Sequence, residues 1–166
     1  VSAAGSTGDG IKMAMAVGAQ VDNMDSAITD PCMALKKRIH IPYDKTIAEG
    51  AILVNKTGRR FMNEGIGYPL ATYPAMRQPD HTVFIVFDEQ ATKKVPQHSR
   101  YFSLGLVISA KTADELAQKL KISEQAFVTT LNEYNNLSNV DRFGRHVGRR
   151  ALQGTLHAIP ATPGII

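Results

Sequence analysis

The chain of 166 residues contains one cysteine, Cys32. A lone thiol closes no internal disulfide, which fits a reducing compartment and an expected cytoplasmic location. No apolar run approaches the roughly 18 residues that a membrane span needs. Runs such as Thr82–Phe87 are far shorter, so a soluble protein is expected. The N-terminus carries no basic region followed by an apolar core, and no secretory signal is expected. There is no G-x-G-x-x-G between a strand and a helix, and no acidic residue downstream of one to hold a ribose. Repeats, low-complexity tracts, metal-ligand clusters and serine or cysteine nucleophile motifs are also missing. Cys32 has no neighbour in sequence that would activate it.

What is present describes one globular domain. With 43% hydrophobic and 20% charged residues, a chain of this length buries roughly two-thirds of its unfolded surface. The net charge of +4 is scattered over short groups: Lys36-Lys37-Arg38, Arg59-Arg60, Lys93-Lys94 and Arg149-Arg150. None is interleaved with aromatics, and no RNA-binding or helix-turn-helix pattern accompanies them, so no nucleic-acid partner is expected and the groups read as solvated surface. Arg149 and Arg150 read as surface ion pairs, with an anionic substrate as the alternative.

The stretch Gly50–Tyr68, GAILVNKTGRRFMNEGIGY, is the most distinctive. Ala51–Val54 is a short apolar run, Asn55-Lys56-Thr57-Gly58 is turn chemistry, and Arg59–Asn63 alternates polar and apolar residues, which predicts a β-hairpin. Its second arm ends in Asn63 and Glu64. A loop, Gly65–Pro69, then follows that can carry Glu64 and the Tyr68 hydroxyl towards a cleft. A second reading stays open, in which Asn63 and Glu64 only satisfy backbone donors at a strand end.

Elsewhere, Val1–Gly10 is rich in small residues, and Asp9 is positioned to cap a helix over Ile11–Val17. Asp30-Pro31 and Ile41-Pro42-Tyr43-Asp44 mark turns. His40, on the alternating stretch Arg38–Ile41, reads as an exposed strand residue. Thr82–Phe87 predicts a buried strand, Asp88-Glu89 the start of a short helix limited by Pro96, and Leu106–Ile108 a short strand. Thr112 with Glu115 has capping-box form ahead of a helix with Leu116 and Leu120 on one face. Ser123 caps the next helix, whose Phe127, Leu131 and Tyr134, with Val128, should bury against the sheet. Leu156–Pro163 reads as a strand.

The pattern G-A-I-x-V-N-x-x-G-x-R-F-x-N-E resembles the start of the substrate-capping domain of the fumarate reductase and succinate dehydrogenase flavoprotein superfamily. That superfamily includes soluble fumarate reductases, urocanate reductases and 3-ketosteroid dehydrogenases. GSTGDGIKMAMAVGA, TADELAQKLKISEQAFVTTLNEYN, DRFGR, RAL and HAIPATPG follow the family's order, so the resemblance covers most of the chain. It implies an α+β capping domain over residues 1–166, with a small mixed sheet packed by helices, belonging to a larger FAD-dependent enzyme whose FAD-binding domain lies outside this segment. FAD would be the cofactor of the full-length protein and would not bind tightly to this chain alone. The partners implied are that FAD-binding domain and a small-molecule substrate.

Residue by residue, the resemblance places Asp9 of the Thr7-Gly8-Asp9-Gly10 element at the FAD, with Thr7, Gly8 and Gly10 shaping its loop. Asp44 falls near an acidic position of the family, and Glu64 becomes an orienting or substrate-contacting group. The family's histidine-proline-threonine element is not legible here, and the arginine expected upstream of the hairpin is replaced by Ile47. Four residues after the Asn63-Glu64 pair, soluble fumarate reductases carry a proton-donating arginine where this chain has Tyr68. Ketosteroid dehydrogenases place a tyrosine in this neighbourhood, which makes Tyr68 the candidate proton-transfer residue. Packing of Tyr68 with Tyr73 and Met76 is the alternative. Asp141–Arg145 reads as structural. The expected function is oxidoreduction at a carbon–carbon bond, with no turnover by the isolated chain; a non-catalytic binding module retaining the cap fold is the competing expectation.

Overall fold

A computed structural model describes residues 5–165, so residues 1–4 of the small-residue opening stretch lie outside the described residues. The chain folds as α1 (Asp9–Ala16), β1 (Thr29–Ala34), β2 (Ile39–His40), α2 (Tyr43–Ala48), β3 (Ile52–Asn55), α3 (Tyr68–Met76), β4 (Val83–Asp88), α4 (Glu89–Lys94), α5 (His98–Ser103), β5 (Ile108–Ala110), α6 (Ala113–Leu120), α7 (Glu124–Asn135) and β6 (Leu156–Ile165).

The strands form one sheet in the order β2-β1-β6-β4-β3, with β5 also on β6. Every described pairing is antiparallel, which corrects the expectation of a mixed sheet. The reason lies in β6. This long last strand runs opposite to β1, β4 and β5, and β3 runs opposite to β4 in turn.

Both faces of the sheet are covered, and strand alternation divides the core. In β4, Val83, Ile85 and Phe87 face a cluster with Ile41, Ile47, Leu53 and Ala71 on the side of α2, α3 and α5. Phe84 and Val86 face Leu116, Phe127, Leu131 and Tyr134 of α6 and α7. Burial of each large side chain here contributes about 1.5–3 kcal/mol. The two helices begin as the sequence predicts: Thr112 accepts from the Glu115 amide at 3.2 Å and Ser123 from the Ala126 amide at 3.3 Å. Among the described residues no helix is long and apolar enough to cross a membrane.

The predicted hairpin is only half present. Gly58, at φ +77, makes its turn against the start of α7, where an added Cβ would lie 3.0 Å from the Ser123 carbonyl and the Phe127 amide nitrogen. Beyond it the second arm makes a single bridge, Val54 to Arg60, and leaves the sheet. Arg60 turns inward to buried carboxylates, and β3 takes β4 as its partner instead.

Three further segments differ from the sequence reading. Asp30-Pro31 lies within β1, where a register shift between Asp30 and Met33 absorbs the proline, whose missing N–H the ladder does not need at an irregularity. The predicted loop after Glu64 is a 3-10 turn over Glu64–Ile66 followed directly by α3. Pro69 suits the first helical turn, and small Ala71, Thr72 and Ala75 form the buried face. Strand β5 starts at Ile108, two residues later than the start of the predicted run, where the chain reaches Ala158 of β6.

Candidate active site

The polar residues of the Gly50–Tyr68 stretch go to two different places. Glu64 is fully buried, and both its oxygens are engaged inside the protein. Oε1 accepts from Arg60 Nε at 2.9 Å and from the Leu53 amide at 3.1 Å, while Oε2 accepts from Arg60 Nη2 at 2.6 Å and Arg145 Nη1 at 3.2 Å. Arg60 also donates to Asp141 at 2.6 Å, and Arg145 reaches the Ala51 and Ile47 carbonyls at 2.6 and 2.7 Å. Burial pulls the Arg60 guanidinium towards neutrality, but Glu64 and Asp141 outweigh it and hold the charge more firmly than usual. Glu64 therefore faces the interior; Asn63 accepts from the Gly65 amide at 2.8 Å, as the second reading had it, whereas Glu64 takes one backbone amide and three guanidinium N–H groups. The structural reading of Asp141–Arg145 agrees with this placement. Arg60 is a correction to the solvated-surface reading, whereas Arg150 is ion-paired as expected, its guanidinium forking onto Asp88 at 2.6 and 2.7 Å.

Tyr68 and Asp44 line the same cleft. Tyr68 opens α3, Asp44 lies in the first turn of α2, and both line an open cleft of about 660 Å³. Tyr68 is partly buried against the core, and its hydroxyl has no hydrogen-bond partner among the described residues. Tyr73 and Met76 are 67% and 49% exposed, and Tyr68 itself packs against the core cluster. The remaining wall combines Asp30, His40, Tyr43, Lys45, Arg100 and Tyr101. Tyr43 donates to the Glu64 carbonyl at 2.8 Å, which ties the cleft to the buried ion network, and Tyr101 donates to the His40 carbonyl at 2.9 Å.

Asp30 and Tyr101 were not signalled as site residues by the sequence. The Asp30-Pro31 pair looks like a turn, and only the fold carries it into a strand beside α5. The neighbouring Cys32 is buried, and burial, with Asp30 nearby, pushes its thiol well above its ordinary value, so it stays protonated. A second depression of about 600 Å³ lies between α7 and the 139–142 loop, beside Arg59, Thr129, Glu133 and Arg142. None of Tyr68, Asp44, Glu64 or Asp9 lines it.

The Thr7–Gly10 element stands apart from both depressions, at the start of α1. Gly8, at φ +75, occupies the cap position without a side-chain cap, and Asp9 is the first helical residue, so its carboxylate does not cap the helix as predicted. It lies 3.6 Å from Lys12 Nζ in an exposed pair. Added Cβ atoms at Gly8 and Gly10 would meet nothing within 4 Å. Nothing in α1 is buried, although Ile11, Met13 and Met15 are apolar. The first-turn amides of such a helix have no helical acceptor and favour an anionic or hydroxyl-bearing group.

Known proteins with related sequences are longer than this chain. A NADH:fumarate oxidoreductase of Klebsiella pneumoniae (strain 342) is 33% identical over 97% of the chain, which spans 18% of that protein. A 3-oxosteroid 1-dehydrogenase of Mycobacterium tuberculosis is 30% identical over 81% of the chain, which spans 27% of it. The solved open conformation of a flavocytochrome c3 fumarate reductase is similar with a TM-score of 0.78 and 29% identity, over 96% of this chain and 29% of that one. The family model for the FAD binding domain matches residues 1–162, and the chain accordingly belongs to that flavoprotein family, whose cofactor is FAD.

Proposed function

We propose that this chain is the substrate-capping part of an FAD-dependent oxidoreductase that acts on a carbon–carbon bond of a small molecule, with Tyr68 as its proton-transfer residue. The observation that carries the reading is the shared cleft of Tyr68 and Asp44, with a tyrosine hydroxyl that has no hydrogen-bond partner among the described residues. FAD, when bound, supplies hydride acceptance or donation at its flavin ring. The residues present fit a part of its binding site. The Thr7–Gly10 loop is open, free of side-chain obstruction at Gly8 and Gly10, and leads into exposed first-turn amides with Asp9 beside them. Asp9 would accept from a cofactor hydroxyl while the amides face an anionic group. The remaining contacts belong to an FAD-binding domain of the same polypeptide, so the isolated chain is inactive on this reading. Relatives several times its length support that division.

In the oxidative direction Tyr68 acts as the phenolate: its oxygen takes a proton from one substrate carbon, giving the phenol, while the neighbouring carbon loses hydride; reduction starts from the phenol and reverses both movements. Asp44 orients the substrate from the facing helix. Glu64 acts as the internal anchor that fixes the approach to α3, and the substrate contact first expected of it has no support in its burial. Closing this cleft over the cofactor excludes water from the reacting atoms.

The experiment is single-turnover absorbance of the full-length, FAD-loaded protein. Fumarate is added to reduced flavin, and 4-androstene-3,17-dione to oxidised flavin. Tyr68→Phe is expected to slow whichever reaction occurs by about 100-fold or more. Unchanged rates in that variant would sink the role of Tyr68. A full-length protein that binds no flavin would return the chain to the binding-module reading.

A further inference from the structure

His40 is held at the cleft more firmly than an ordinary surface histidine. It pairs with Met33 of β1, and its carbonyl accepts from the Tyr101 hydroxyl at 2.9 Å. Its Nε2 lies 3.0 Å from Asp30 Oδ2, with the His40 side chain 50% exposed and that of Asp30 0%. The other Asp30 oxygen accepts from the Cys32 amide at 2.7 Å. Oδ2 receives no aligned hydrogen bond, so the His40 contact is an electrostatic one, off the N–H axis. A buried carboxylate without an arginine or lysine is costly unless a nearby donor or cation offsets it, and His40 is the group in reach, through Nε2 in the neutral ring and as the imidazolium once a second proton arrives. Burial, with Asp44 adding to it, raises the Asp30 pKa, while the Cys32 amide and His40 oppose the shift.

A carboxylate behind Nε2 favours the tautomer with the proton on Nε2 and leaves Nδ1 as the free acceptor. Nδ1 has no hydrogen-bond partner among the described residues. The titratable and charged groups around the imidazole are Asp30 and Cys32 from β1, Asp44 and Lys45 from α2, Tyr68 from α3, and Arg100 and Tyr101 from α5.

We propose that His40 is a second proton-transfer residue of this cleft, positioned by Asp30, and that it exchanges with solvent the proton handled by Tyr68. The proposal rests on the reading of Tyr68 given above. In oxidation, the proton taken from substrate carbon sits on the Tyr68 oxygen. That O–H bond then breaks as an N–H bond forms at His40 Nδ1, directly or through water in the cleft. The imidazolium, balanced by Asp30, releases the proton from its exposed edge. Reduction runs the same path inward, and no electrons move beyond the pair carried as hydride.

The test repeats the single-turnover measurements with fumarate and 4-androstene-3,17-dione on the full-length flavoprotein, between about pH 5 and pH 9, the range in which histidines titrate. His40→Gln is expected to slow the reaction about 100-fold and to remove a limb of the pH profile, with partial rescue by added imidazole. Asp30→Asn is expected to slow it about 10-fold and to displace the limb, without imidazole rescue. A wild-type rate and profile in His40→Gln overturns the proposal, as does a loss that imidazole leaves untouched. Slow turnover in Tyr68→Phe beside normal turnover in His40→Gln removes only the relay; two silent variants remove the cleft reading itself. Diethyl pyrocarbonate needs no substrate. The rate of His40 acylation, followed by peptide mass, is expected to change in Asp30→Asn, and equal rates overturn the pairing.

Discussion

The buried ion network and the cleft lie on either side of Tyr43, and they treat charge in opposite ways. Around Arg60, Glu64, Asp141 and Arg145, each carboxylate and guanidinium is matched within the protein, and Tyr134 covers both arginines at 4.9 and 5.5 Å from its ring centroid. In the cleft, the Tyr68 hydroxyl and the His40 Nδ1 have no hydrogen-bond partner among the described residues, and Asp44 is exposed to solvent. A matched buried network holds geometry and has no capacity left for a ligand. Unmatched polar groups at an opening can bind and exchange protons. Two segments of one motif thus divide the labour, Glu64 holding the framework and Tyr68, four residues on, facing the cleft.

The strongest way to break this contrast is to remove one partner of the network. Arg145→Met leaves Glu64 buried with less compensation and is expected to cost about 3–5 kcal/mol in urea denaturation of the full-length protein. A loss within the range of ordinary surface substitutions would show that the network is not the anchor.

His98 offers a sharper contrast with His40, because it is a histidine placed wholly inside. It stacks on Phe87 at 4.3 Å between ring centroids, and its Nε2 lies 3.1 Å from Thr46 Oγ1. Burial, with His157 adding to it, lowers its pKa from 6.5 to about 4. Between those values the unfolded chain binds a proton that the folded chain does not. Stability is therefore full above about pH 6.5 and falls as the pH drops towards 4, by on the order of 3 kcal/mol. Denaturation midpoints measured across the window should show this slope in the wild type and lose it in His98→Gln.

The smallest effect is expected at Asp44. Asp44→Asn should raise KM by up to about 10-fold with little change in kcat, as for a group that binds ground and transition states alike, and should alter stability by less than about 0.5 kcal/mol. A fall in kcat instead would move Asp44 into the proton-transfer step.

Much of the scaffold was legible locally. The strand at Val83–Asp88, the caps at Thr112 and Ser123 and the apolar face of α7 depend on short-range patterns of burial and hydrogen bonding, and they appear where those patterns put them. The second hairpin arm failed because Arg60 gains more from two carboxylates, one of them 81 residues away, than from continuing a ladder. Asp30-Pro31 failed for a related reason: pairing with β6, at the far end of the chain, overrides the local turn tendency. The Asn63-Glu64 pair was visible in the sequence as special, but the direction in which Glu64 points was not.

By itself the sequence determined the alternation that buries both faces of the sheet, the helix starts and the family to which the chain belongs, because these follow from neighbouring residues and their order. Only the tertiary structure decided which charges are matched inside and which remain open at the cleft. Glu64, Asp141 and Arg145, or Asp30, His40 and Tyr68, come together through contacts between distant segments, and the cost of burying a charge is set by those contacts rather than by the residues beside it in the chain.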